Sequence, residues 1–265
     1  MRIPIYQVDS FTQKTFGGNP AAVCPLKSWL TDAQMQAIAL ENNLSETAFV
    51  VGSGDSGEKY ELRWFTPIKE VALCGHATLA SAYVVCTYLN AAAKRLEFST
   101  RSGTLIVRRE GELFIMDFPA RPSEPRPAPP LLVESLRATP REVFWSVEDY
   151  LAVFDSEADV RALAPDFSRM MAMTSCRGTI ATAKGSGETD FVSRFFGPQS
   201  GIPEDPVTGS AHCTLIPFWS ARLGKTRLRA RQISSRGGEL FCELRGERVD
   251  IAGYVAPYLQ GFIDL

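Results

Sequence analysis

The sequence predicts an α+β fold of two duplicated domains, each a rolled, barrel-like, mostly antiparallel sheet around one central buried helix. Three observations carry this expectation. A proline-rich stretch divides the chain, a set of motifs recurs on either side of it, and each copy holds an apolar run too evenly apolar for a surface helix.

The dividing stretch runs from Pro119 to Pro130, where six of twelve residues are proline, a composition that favours a stiff extended connector over helix or sheet. Division there gives domains 1–118 and 119–265, with the last strand free to return to the first domain. A chain of 265 residues, 45% hydrophobic and 22% charged, buries cores of this size without extended disorder.

The repeat is read motif by motif. Arg63-Trp64-Phe65-Thr66-Pro67 precedes Gly75-His76-Ala77-Thr78-Leu79 and an apolar run to Leu89; Arg194-Phe195-Phe196-Gly197-Pro198 precedes Gly209-Ser210-Ala211 and a run to Leu223. Upstream, the strands Thr47 to Val51 and Thr179 to Ala183 each lead through a Gly/Ser turn into the strand that carries the Arg-aromatic-Phe motif. Each half therefore reads as strand, hairpin, strand, loop, buried helix. Pro217 is expected to kink the second helix and Gly224 to end it.

The remaining elements follow from local chemistry. Thr31 and Gln34 suit the capping box of an amphipathic helix that buries Met35, Ile38 and Ala39 and ends near Asn42-Asn43. Short alternating stretches at Thr104 to Arg108, Leu113 to Phe118 and Phe241 to Arg245 read as strands. The run Gly52-Ser53-Gly54-Asp55-Ser56-Gly57 matches the dinucleotide pattern G-x-G-x-x-G in letters only. That pattern needs a helix after the glycines, and here the strand Tyr60 to Phe65 follows.

Composition excludes several classes. A net charge of −2 and a basic cluster confined to Arg227 to Arg231, read as a solvated strand face, argue against nucleic acid. Met1 to Phe11 alternates and lacks the apolar core of a signal peptide, and no run suits a membrane span, so a cytoplasmic location is expected. The six cysteines form no C-x-x-C pair and there are only two histidines, so neither a disulfide framework nor a metal site is expected.

The chemistry is expected at the starts of the two buried helices, whose amides and dipole receive a substrate carboxylate or a developing oxyanion. A pseudo-twofold arrangement would bring both starts to one interdomain cleft. Asp205 and Glu46 lie next to these starts, and a carboxylate in a water-poor cleft serves as both acid and base. Asp205 is equally compatible with a helix cap, and Glu46 with an ordinary surface carboxylate. His76 suits either a neutral proton donor or a structural role; His212 reads as structural. Cys74 is either a thiol that takes part in chemistry or a small buried apolar residue.

Asp9-Ser10-Phe11, Gly17-Gly18-Asn19-Pro20-Ala21-Ala22-Val23, Ser45-Glu46-Thr47-Ala48-Phe49, Cys74-Gly75-His76-Ala77-Thr78 and Glu204-Asp205-Pro206-Val207-Thr208-Gly209-Ser210-Ala211 together resemble the phenazine-biosynthesis isomerase-like (PhzF-like) family, within the diaminopimelate-epimerase fold. The resemblance spans nearly the whole chain. It implies an isomerase without metal or organic cofactor, often a homodimer, acting on a small carboxylate-bearing substrate as in 2,3-dihydro-3-hydroxyanthranilate isomerisation. It further implies Glu46 as the proton carrier, with His76 and Asp205 assisting, Ser210, Asn19 and Cys74 at the substrate, and Gly75 and Gly209 in the loops that receive its oxygens. Epimerases of this fold place a cysteine before each helix-starting glycine; here Cys74 does so but Thr208 occupies the second position. The alternatives are a racemase or epimerase of a small amino or hydroxy acid that pairs Cys74 with another base, and a non-catalytic ligand-binding relative.

Overall fold

The computed structural model describes residues 1–54 and 57–265. Asp55 and Ser56, in the glycine-rich run noted above, lie outside the described residues. The chain forms two compact units, Met1–Phe118 with Asp250–Leu265, and Pro119–Val249.

The first unit begins with β1 (Arg2–Ser10), β2 (Asn19–Leu26), α1 (Asp32–Asn42), β3 (Glu46–Gly52), β4 (Lys59–Phe65), β5 (Glu70–Val71), α2 (Gly75–Val84), β6 (Arg95–Thr100), β7 (Gly103–Glu110) and β8 (Leu113–Pro119). The second holds β9 (Glu124–Pro125), α3 (Pro130–Leu136), β10 (Glu142–Ser146), β11 (Asp149–Val153), α4 (Glu157–Ala162), α5 (Phe167–Met170), β12 (Gly178–Lys184), β13 (Phe191–Gly197), β14 (Ile202–Asp205), α6 (Gly209–Leu223), β15 (Arg227–Gln232) and β16 (Gly238–Arg245). The units divide within β17 (Arg248–Gly253), after which β18 (Val255–Asp264) pairs antiparallel along the whole of β1. The division at 119–265 is refined accordingly: residues after Val249 belong to the first unit, where the last strand, β18, returns to pair with β1 and β17 pairs with β8.

Duplication is visible in the pairing. In the first unit β1/β2 is antiparallel, β2/β3 parallel, β3/β4 antiparallel, β4/β6 parallel and β6/β7 antiparallel. The strands β10, β11, β12, β13, β15 and β16 repeat that order with the same alternation. Each parallel step needs a crossover, supplied by α1 and α2 in the first unit and by α4 with α5, then α6, in the second. The repeated arginines are equivalent in detail: Arg63 forks onto Glu70 at 2.8 and 2.7 Å, and Arg194 forks onto Glu204 at 2.7 and 2.9 Å.

The local expectations meet the structure closely. Thr31 and Gln34 form the capping box of α1, and Met35, Ile38 and Ala39 are its buried residues. In α2 the buried hydroxyls bond back into the helix, Thr78 to the Cys74 carbonyl at 2.5 Å and Ser81 to the Ala77 carbonyl at 2.7 Å, so neither hydroxyl is stranded in the enclosed helix. The expected run to Leu89 leaves regular α geometry after Val84 and closes in a π turn, Val85–Leu89.

One detail differs from expectation, in the connector, whereas Pro217 lies inside α6 as expected and the helix runs to Leu223, where Gly224 caps it in the left-handed region. The carbonyl that a proline leaves without its helical partner, that of Cys213, accepts the N–H of Arg121 at 2.9 Å. In the proline-rich connector, Glu124 and Pro125 pair with Trp145 and Phe144 of β10, so part of that stretch joins the sheet as an edge, where a missing N–H costs nothing.

Candidate functional site

In the first unit the structure brings together Asn19, Glu46, Cys74, Gly75 and His76. Glu46 opens β3 beside Ala21 of β2, Cys74 precedes α2, and Gly75 and His76 form its first turn. Asn19 opens β2 after a tight approach of two backbones. Gly18 has φ +60°, and a Cβ on it would lie 2.1 Å from the Ser10 carbonyl oxygen, so only glycine permits this path. The Ser10 hydroxyl donates to the His76 carbonyl at 2.8 Å, tying the end of β1 to the start of α2.

The hydrogen-bond pattern assigns the imidazole tautomer. Nδ2 of Asn19 lies 3.2 Å from Nδ1 of His76, and an amide nitrogen only donates, so Nδ1 accepts and the ring proton sits on Nε2. Nε2 in turn lies 3.2 Å from Oε2 of Glu46. The Cys74 sulfur lies 3.5 Å from the same ring nitrogen. Burial pushes His76 from its ordinary pKa down to about 3, outweighing a bond with the Pro20 backbone that works the other way. Helix position alone would not shift it so far. The ring is neutral, so its 3.2 Å approach to Glu46 is a close contact of an uncharged imidazole with a carboxyl group and not an ion pair.

Donor atoms of Glu46, Cys74 and His76 all lie within 4.8 Å of one another, a metal-compatible grouping that sequence spacing did not show. Its three members come from two chain segments and share no spaced motif.

In the second unit the structure brings together Asp205, Gly209 and Ser210. Thr208 precedes α6, and its hydroxyl donates to Oδ2 of Asp205 at 2.5 Å. Gln232 completes the arrangement: its Nε2 donates to the Asp205 carbonyl at 2.7 Å and to the Thr208 hydroxyl at 3.1 Å, and its Oε1 accepts the Thr208 N–H at 2.9 Å. Asp205 thus braces the residue that starts the helix. His212 is fully buried, and its Nδ1 donates to the Thr208 carbonyl at 2.8 Å, the structural role expected for it.

Sequence reasoning missed Arg177 and Asp149. Nη1 of Arg177 donates to the Ser210 hydroxyl oxygen at 2.9 Å, and its Nε donates to Oδ1 of Asp149 at 3.0 Å, with Nη2 on the other carboxylate oxygen. The guanidinium also lies over the Phe195 ring, 5.1 Å from its centroid. Burial raises the Asp149 pKa against the pull of Arg177; burial likewise opposes the charge on Arg177, but Asp149 together with Glu148 and Asp205 more than compensates.

A signal for Arg177 was present in the repeat. Phe65 pairs with Thr47 and Phe196 with Thr179, which makes Thr47 and Thr179 equivalent. Glu46 then corresponds to Gly178, Ser45 to Arg177, Ala21 to Asp149, and His76 to Ser210. Where the first unit has its carboxylate, the second has a glycine whose added Cβ would meet Phe195 Cζ at 2.5 Å. The two copies differ: one holds a buried carboxyl–imidazole pair, the other a cationic fork bonded to a hydroxyl.

The duplicated α+β architecture is that of PhzF-type and epimerase or racemase proteins. It matches the solved structure of a PhzF-family phenazine biosynthesis protein from Enterococcus faecalis with TM-score 0.96 at 45% identity, covering 100% of both chains. A hydroxyproline epimerase from Agrobacterium vitis, solved with trans-4-hydroxy-L-proline, shares the fold alone, with TM-score 0.62 at 10% identity over 99% of this chain and 92% of that one. An "uncharacterized isomerase" of Pseudomonas aeruginosa is 55% identical over 266 residues, with 100% of each chain covered. The family model for phenazine biosynthesis-like protein matches residues 8–261, and the chain belongs to that family. No helix among the described residues is long and apolar enough to cross a membrane.

Proposed function

We propose that this protein is a cofactor-independent isomerase in which Glu46 moves a proton between two carbons of a small carboxylate-bearing metabolite, a reaction similar to 2,3-dihydro-3-hydroxyanthranilate isomerisation. The 3.2 Å approach of His76 Nε2 to Glu46 Oε2, with the ring proton directed to that nitrogen by Asn19, carries the reading. The carboxylate takes a proton from carbon while the electron pair stays in the substrate, and returning the proton at a second carbon regenerates the carboxylate. His76 stays neutral throughout and orients the oxygen that accepts the proton.

Asp205, Ser210 and the backbone at Gly75 and Gly209 are assigned to holding substrate oxygens. The Ser210 geometry favours this role: Arg177 occupies a lone pair of its oxygen, so the hydroxyl hydrogen is available to an acceptor such as a carboxylate. The assembly is proposed to be a homodimer, and a monomer mass in light scattering would correct that.

The test is deuterium wash-in followed by NMR, with dihydrohydroxyanthranilate and a panel of amino and hydroxy acids in heavy water. Exchange on at least one compound, reduced by about 10²- to 10⁴-fold in Glu46→Gln, is expected. Undiminished exchange in that variant sinks the reading, and no exchange on any compound favours a ligand-binding protein.

One observation favours a second reading. Cys74 Sγ lies 3.5 Å from Nδ1 of His76, placing a thiol beside the same acid–base pair. A racemase or epimerase would use that thiol on one side of an α-carbon, with a different group opposite, because Thr208 takes the equivalent position in the second unit.

A further inference from the structure

We infer that Glu46, Cys74 and His76 form a binding site for a thiophilic divalent cation of the zinc class, and that an ion held there stops the proton transfer. The second clause rests on the function proposed above; the first does not.

The donor set has the right chemistry. One carboxylate oxygen, one thiolate sulfur and one imidazole nitrogen are three ligands of the types zinc takes, leaving a fourth position for water or a substrate oxygen. With Zn–S near 2.3 Å and Zn–N or Zn–O near 2.0–2.1 Å, a tetrahedral ion sets its ligand atoms about 3.3–3.6 Å apart. His76 Nε2 and Glu46 Oε2 stand at 3.2 Å, Cys74 Sγ stands 3.5 Å from the other ring nitrogen, and one donor atom from each of the three residues lies within 4.8 Å of the other two. A turn of the Cys74 side chain or of the imidazole then brings sulfur, nitrogen and oxygen onto one ion. A single carboxylate beside a thiol and an imidazole is a poor site for magnesium or calcium, which take mostly oxygen ligands.

Charge and the surrounding groups favour the same ion. A thiolate and a carboxylate cancel the double charge, so the loaded cluster is neutral, the condition that burial of ions requires. Cys74, His76 and Glu46 are 6%, 5% and 8% exposed. On binding, the S–H bond breaks, its electron pair forms the S–metal bond, and the proton leaves to solvent without any change of oxidation state. The imidazole proton shifts from Nε2 to Nδ1 as Nε2 becomes the ligand. Asn19, already 3.2 Å from Nδ1, accepts that proton through its amide oxygen once the amide turns over. Glu46 then has its oxygen committed to the ion and cannot receive a proton from carbon.

Cobalt(II) serves as the probe, added to the whole protein in buffer with a phosphine reductant. The expected result is one cobalt per chain, with a thiolate-to-cobalt charge-transfer band and tetrahedral visible bands. Zinc displaces it at equal concentration and excess magnesium does not. Cys74→Ser loses the charge-transfer band while its circular dichroism stays as in the parent chain, and Asn19→Ala and Glu46→Gln each bind at least about tenfold more weakly. No charge-transfer band at millimolar cobalt, or a band that persists in folded Cys74→Ser, overturns the site. Zinc is further expected to abolish deuterium exchange and a chelator to restore it; exchange that continues with the site filled overturns the inhibitory clause. The cobalt spectra need no substrate, so the site and the isomerase reading succeed or fail separately.

Discussion

Oε2 of Glu46 and Nε2 of His76 lie 3.2 Å apart, and the ring nitrogen that faces the carboxyl group is the one that carries the proton. Asn19 is responsible for that polarity, since its amide reaches the opposite ring nitrogen. Removing the amide frees the ring to adopt the other tautomer, which would turn a lone pair towards Glu46. Asn19→Ala is expected to keep the fold and lose about tenfold or more in deuterium exchange, part of what the acid–base pair contributes. Exchange at the parent rate would show that the tautomer does not matter.

Cys74 separates the two enzyme readings. With Glu46 as sole proton carrier, Cys74→Ala is expected to retain exchange within about tenfold, well short of the 10²- to 10⁴-fold loss of a general acid or base. Collapse of exchange in this variant, together with substrate protection against thiol alkylation in the parent chain, would transfer the assignment to a thiol-dependent epimerase.

Arg177 and Asp149 form a pair whose aspartate side chain is 4% exposed. Arg177→Met leaves that carboxylate buried without its cation and is expected to lower stability by about 3–5 kcal/mol, read as a shift in the urea midpoint. Arg177→Lys keeps a charge but not the fork that reaches both Asp149 and Ser210, so its expected signature is a raised KM with a smaller change in kcat. An unchanged midpoint in the methionine variant would remove the pair from the account.

His212 makes stability fall with acid. Its pKa in the folded chain is pushed from an ordinary 6.5 down to about 4, chiefly by burial. Between those values the unfolded chain binds a proton that the folded chain refuses, so stability is lost as pH falls through that window. His212→Asn, whose amide can still donate to the Thr208 carbonyl, is expected to flatten the acid limb by about 1.4 kcal/mol per pH unit within it. Parallel denaturation curves for both proteins from pH 6.5 to 4 would refute the assignment.

Much of the fold was legible because local rules decided it. The capping box at Thr31, the stop at Gly224, the hairpins and the repeated Arg-aromatic-Phe motif each depend on residues a few positions apart. Most of the acid–base cluster was also visible, since Asn19, Glu46, Cys74 and His76 all sit in recognisable motifs. Asp149 and Gln232 were not. No motif surrounds either one, and each reaches its partner only because a parallel crossover or a distant strand brings it there. Arg177 was half visible, because equating Thr47 with Thr179 already placed it one residue before the position of Glu46 in the repeat.

The sequence by itself determined the duplication, the elements of each copy and, through its resemblance to a family, Glu46 and His76 as candidates, since periodicity, capping and motif order are properties of neighbours along the chain. Tertiary structure alone decided the tautomer of His76, the return of the last strand to β1, the rescue of the Cys213 carbonyl by Arg121, and the grip of Arg177 on Ser210. Those features depend on burial and on hydrogen bonds between segments far apart in the chain, and their strength is set by a dry interior that no local stretch of sequence creates.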